Sequence, residues 1–178
     1  MKLRGWLEDQ EGEIASRWYQ EVRASSAELG EEGTAVLWRM GELMVSLIPG
    51  CFGDHREAGL ETWENAAHLY GSFAVRRGLA AGEVVEELQL LRNVILRFFL
   101  IEAPPSLTRD GLFEEVPPLD LLTLNRVLDL GVSRASIAYV DDLFFAHLQG
   151  SGVPEGITSE LVEEVDRQLE GFRGEKRL

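Results

Sequence analysis

The stretch from Ala81 to Glu102, AGEVVEELQLLRNVILRFFLIE, constrains this chain more than any other. Val84, Leu88, Leu91, Ile95 and Phe98 recur every three or four residues, the repeat of one helix face. Val85, Val94 and Phe99 widen that stripe. A helix apolar over so much of its surface belongs at the centre of a bundle, touched by several neighbours. Arg92 interrupts it. A charge there must reach water, pair with an acid such as Glu87, or bind an anionic ligand.

The same periodicity runs through nearly the whole chain. A first helix is expected over about 2–25, with Trp6, Leu7, Ile14, Trp18 and Val22 inward, and a second over about 34–48. PGCFGD then breaks the pattern, because proline and glycine both resist helix continuation. A third helix covers about 56–77, carrying Leu60, Trp63, Ala67, Tyr70 and Ala74 on one line. It closes on Arg76, Arg77 and Gly78, two cations at the negative end of the helix dipole before a residue free to turn left-handed. The central helix follows, with Glu83, Glu86 and Glu87 near its positive end. Residues 103–118 hold four of the six prolines and read as a loop. A fifth helix is expected over about 119–149, with Leu121, Leu124, Leu128, Ala135 and Ala138 inward. GSGVPEG (150–156) reads as a linker, and a short amphipathic helix with Leu161, Val165 and Leu169 inward ends the chain, capped by Thr158 or Ser159. Neither strand alternation nor hairpin signals are found. The expectation is an all-α bundle of about five main helices over 1–149, followed by a linker, a short C-terminal helix and a disordered tail over 150–178.

Charge narrows the function. The formal net charge of −14 repels phosphate backbones and anionic membranes, and Arg76-Arg77 is too small a cluster for a nucleic-acid reader. The expectation is no nucleic acid and no membrane. The N-terminus carries no apolar signal segment, and the one cysteine, Cys51, cannot form an internal disulfide; both point to the cytoplasm. Motifs for a serine nucleophile, a nucleotide-phosphate loop or a zinc protease are missing. Di-metal bundles need Glu-x-x-His pairs on two helices, and no such pair occurs. No metal and no catalytic residue is assigned. Haem would require an axial histidine; His68 lies beside the inward line of the third helix and His147 near the end of the fifth.

YGSFAVRRGLAAGEVVEELQLLR resembles the N-terminal domains of RsbT co-antagonist proteins, the RsbR/RsbRD N-terminal family. Tyr70-Gly71, Arg76, Gly78 and Glu87 to Arg92 occupy the family's positions, and Leu124-Asn125, Leu128-Asp129 and Tyr139 match its following helix. The likeness covers roughly residues 5 to 145. Tyr70 stands where the family often has His, and Leu88 where it often has Tyr. The resemblance implies a globin-like, usually non-haem, all-helical input domain that dimerises and precedes a STAS domain, a histidine kinase or another regulator.

The functional expectation is therefore a non-enzymatic cytoplasmic sensory or regulatory domain of a bacterial stress or two-component pathway, acting as a homodimer through protein contacts. The alternative is a globin-like sensor for haem or a small ligand. Tyr70, Arg92, His68 and Trp63 are the candidate ligand or signal pocket. Leu161, Val165 and Leu169 are the candidate dimer or partner contact.

Overall fold

The computed structural model describes residues 3–25, 29–102, 117–148 and 159–175. The expected loop over 103–118 lies almost wholly outside them, as do the linker over 150–156, the Thr158 cap and the end of the tail. Among the described residues every regular element is helical: α1 (Leu3–Asp9), α2 (Glu11–Ser25), α3 (Glu31–Leu47), α4 (Arg56–Arg76), α5 (Ala81–Arg97), α6 (Pro118–Leu148) and α7 (Ser159–Glu175). A single 3₁₀ turn, Ile48–Cys51, follows α3, and α5 runs on through a π turn, Phe98–Glu102. The all-α bundle expected from the periodicity is the observed fold.

Element ends follow local chemistry. Gly78 takes φ +71°, and its N–H donates to Val75 O at 3.0 Å while Leu79 N–H donates to Ala74 O at 3.2 Å. That paired closure satisfies the last carbonyls of α4, as the Arg-Arg-Gly sequence predicts. At the start of α5, Glu83 turns back and accepts from the Ala80 N–H at 2.6 Å. The expected first helix is interrupted: Gln10 forms a turn that separates α1 from α2. The second helix starts three residues earlier than expected, at Glu31, whose acid favours the positive end of the dipole.

The central place expected of α5 falls to α4, which packs against α3, α6, α7 and the 3₁₀ turn. On α5, Val84, Leu88, Leu91, Val94 and Ile95 are all buried. That helix packs against α2 and α6, and Trp6 of α1 caps its π turn with edge contacts to Phe98 and Phe99 at 5.3 and 4.8 Å.

The tightest crossing joins α4 to α6. A Cβ added at Gly71 would lie 2.2 Å from the Ala135 carbonyl oxygen, so only glycine admits this approach. One turn away, the Trp63 indole lies against Gly131, where an added Cβ would sit 2.6 Å from the ring. The Trp63 Nε1–H donates to Val127 O at 2.8 Å. That carbonyl lies one turn before Gly131, and the missing side chain leaves it open to a second donor.

Helix α7 folds back onto α3 and α4. Leu161, Val165 and Leu169 join the common core, and Asp166 accepts two bonds of 2.6 Å from Arg39 Nη1. The expectation that these three apolar residues form a dimer or partner contact is corrected on this point: the chain's own α3 covers them.

Candidate functional site

The residues expected to line a ligand pocket do not meet at one. Tyr70 and Trp63 are fully enclosed, while His68 is exposed on the opposite side of α4. His147 is also exposed. Arg92 pairs with Asp129 of α6 across the α5–α6 contact, with its side chain about one-fifth exposed. The structural reading of Arg92 holds, but its acid is Asp129; Glu87 is occupied elsewhere.

Glu87 lies at the centre of a buried polar cluster. Arg77 grips it through two bonds of 2.7 Å, Nη1 to Oε2 and Nη2 to Oε1. The Tyr70 hydroxyl donates to the same Oε2, and Trp18 Nε1–H donates to the Glu87 backbone carbonyl at 2.7 Å. The Arg77 and Glu87 side chains are 1% and 4% exposed. The cluster joins α2, the end of α4 and the start of α5, and its charges are neutralised within it. Sequence inspection placed Glu87 with Glu83 and Glu86 near the positive end of the helix, as an acid that Arg92 could pair with. The signal that could have found it is register: Glu87 falls between Val84 and Leu91 on the apolar stripe.

Burial, followed by the Glu87 carboxylate, drives the Tyr70 phenol well above its ordinary value, with Arg77 pulling the other way. Burial opposes the charge on Arg77, yet its bonds to Glu87 and Tyr70 raise its pKa overall. The Cys51 thiol is pushed up by burial from 9.0 to about 12 and is inert at neutral pH. The folded chain therefore keeps protons on Tyr70 and Cys51 that the unfolded chain releases. That contribution to stability is complete below the ordinary thiol and phenol values and is lost progressively as pH rises from them towards the raised values of the folded chain. The urea midpoint should fall steadily from about pH 8.5 to 11. Cys51→Ala should flatten the lower part of that fall and Tyr70→Phe the upper part. A wild-type midpoint flat across this range would refute the account.

The surface that stands out is on α6. Its core side is regular, with Leu124, Leu128, Gly131, Ala135 and Ala138 buried. The other side is apolar too. Leu119, Leu122, Ile137, Val140, Phe144 and Leu148 are each at least 50% exposed. With Arg126, Leu130 and Ser133 they form one line of three- and four-residue steps along the helix. A helix with two apolar faces is normally covered on both, and an exposed stripe of this length marks an interaction surface. Along the first half of that line, α6, the start of α4 and the 3₁₀ turn enclose a half-open cleft of about 570 Å³. Leu60, Val127, Leu130 and Cys51 give it an apolar floor, and Arg56 and Arg126 stand at its edge. Sequence reading missed this second stripe because the inward line of α6 accounted for the helix by itself.

Among the described residues no cluster of His, Cys, Asp and Glu could hold a metal ion, and no helix is long and apolar enough to cross a membrane. Comparison with family models, with curated proteins and with solved structures found no match for this chain.

Proposed function

We propose that this chain is a non-enzymatic regulatory input domain of a bacterial cytoplasmic stress or two-component pathway, acting as a homodimer through protein–protein contacts. The observation that carries the reading is the second apolar face of α6, with six large side chains at least half exposed along one line. The buried polar cluster does not compete with it as a working site: Tyr70, Arg77 and Glu87 are buried and bonded to one another. The resemblance of residues 70–92 and 121–142 to the RsbR/RsbRD N-terminal domains supports a globin-like input role, with a STAS protein, a histidine kinase or a similar regulator as output.

In this mechanism a signal changes helix packing rather than bonding. Helix α7 is the natural output lever, since three apolar residues and the half-exposed Arg39–Asp166 pair hold it on the bundle. Signalling requires a second arrangement of α6 and α7 with a different affinity for partner or signal.

Light scattering on the purified full chain tests the oligomer. The expected mass is that of two chains. Ile137→Glu combined with Phe144→Glu should give a single-chain mass with an unchanged helical circular-dichroism spectrum, because both residues are exposed in the single chain. A native protein that remains monomeric at all concentrations would overturn the dimeric reading.

A further inference from the structure

Charge and shape along the exposed face of α6 point to its occupant. Positions whose numbers sum to 267 match one another: Leu119 with Leu148, Leu122 with Phe145, Arg126 with Asp141, Leu130 with Ile137, and Ser133 with Arg134. Phe145, Asp141 and Arg134 flank the apolar line, and the line's Val140 and Phe144 match Val127 and Thr123; the exposed cation matches an exposed acid. We infer that two copies of this chain pair their α6 helices antiparallel about a twofold axis between Ser133 and Arg134, each placing the Ile137–Phe144 end of α6 into the other's α4–α6 cleft. This inference rests on the dimeric reading above and deepens it by fixing the surface, the direction and the register.

Three observations carry it. First, a twofold interface must be self-complementary, because residue i meets j while j meets i. Leu119 with Leu148 and Leu130 with Ile137 satisfy that within the apolar line itself. Second, the charges choose the direction. Arg126 and Asp141 have no ion-pair partner among the described residues, and antiparallel pairing brings each opposite the other. A parallel pair in register would set Arg126 against Arg126 and Asp141 against Asp141, a repulsion at both places. Third, shape agrees with direction. The cleft lies along the Thr123–Ser133 half of α6, and the exposed Ile137, Val140 and Phe144 lie along the other half. Antiparallel pairing places each copy's protruding half over the other's hollow half. Small Ser133 at the axis lets the helices approach, and its hydroxyl is already satisfied by Asp129 O at 2.9 Å.

Cysteine cross-linking of the full chain reads the register. Native Cys51 is buried and serves as the unreactive background. Under mild oxidation, Ile137→Cys chains mixed with Leu130→Cys chains should form the mixed disulfide dimer. Ile137→Cys alone should not, since an antiparallel pair separates its two copies by roughly 10 Å along the axis, beyond disulfide reach. Arg126→Asp should weaken the dimer about tenfold, and adding Asp141→Arg should restore it. Ready cross-linking of Ile137→Cys to itself would overturn the inference in favour of a parallel pair. A dimer by light scattering with no mixed disulfide and no response to Arg126→Asp would place the interface elsewhere, leaving the dimeric reading intact. A monomeric native chain would remove both.

Discussion

Replacing Glu87 with alanine is expected to lower the unfolding free energy by about 3–5 kcal/mol, the range for removing one partner of a buried ion pair. The reason is what the substitution leaves behind. Arg77 is held beneath the surface by two bonds to that carboxylate, and Tyr70 donates to it. Without Glu87 a guanidinium with a side chain 1% exposed loses both of those bonds while it lies over the Phe73 ring, whose centroid is 5.3 Å away. Urea denaturation at pH 7 measures the loss. The double variant Arg77→Met/Glu87→Leu should recover much of it, because an apolar pair of similar volume leaves no charge unpaired. If Glu87→Ala costs less than about 1 kcal/mol, the typical limit for an exposed pair, the cluster is not sealed from water in solution.

The second large effect is expected at Gly71. In an exposed helix interior, glycine to alanine gains up to about 1 kcal/mol. Gly171 of α7 has nothing within 4 Å of an added Cβ, so Gly171→Ala should show that gain. At Gly71 the sign reverses. The new methyl would meet the Ala135 carbonyl oxygen at 2.2 Å, and backbone in mid-helix does not move aside as a side chain tip would. The helices must separate, which loosens the Trp63–Gly131 contact on the same seam. A loss of about 3 kcal/mol is expected for such overpacking. A thermal midpoint for Gly71→Ala equal to that of the native chain would mean that the α4–α6 crossing is wider than described.

Both effects lie where residue type and residue position must be read together. The helical fold was legible because its signal is local: apolar residues at three- and four-residue steps can be buried by one helix face only. The end of α4 followed from Arg-Arg-Gly, but the width of the α5 stripe did not place that helix at the centre, which α4 holds. The candidate pocket was not legible. Tyr70 and Trp63 stood on an inward line, but the line does not say whether a cavity or another helix faces it. In the structure Glu87 and Val127 O satisfy those two tips.

The last helix shows the same limit. Its Leu161, Val165 and Leu169 stripe states that something covers it, and α3 proves to be that cover. On α6 the problem is inverted. Two apolar faces were present in the sequence, and one was enough to explain a buried helix. Only the packed bundle separates the face that is covered from the face that is left open.

By itself, then, the sequence determined the helical fold, the end of α4 and the inward line of each helix. These depend on neighbours a few residues apart. The tertiary structure alone decided which acid Arg77 and Arg92 each hold, how closely α4 meets α6, and which apolar surface remains exposed. Those depend on groups separated along the chain by 10 residues for Arg77 and Glu87 and by 37 for Arg92 and Asp129. Helical periodicity carries no information about which distant partner a face will meet.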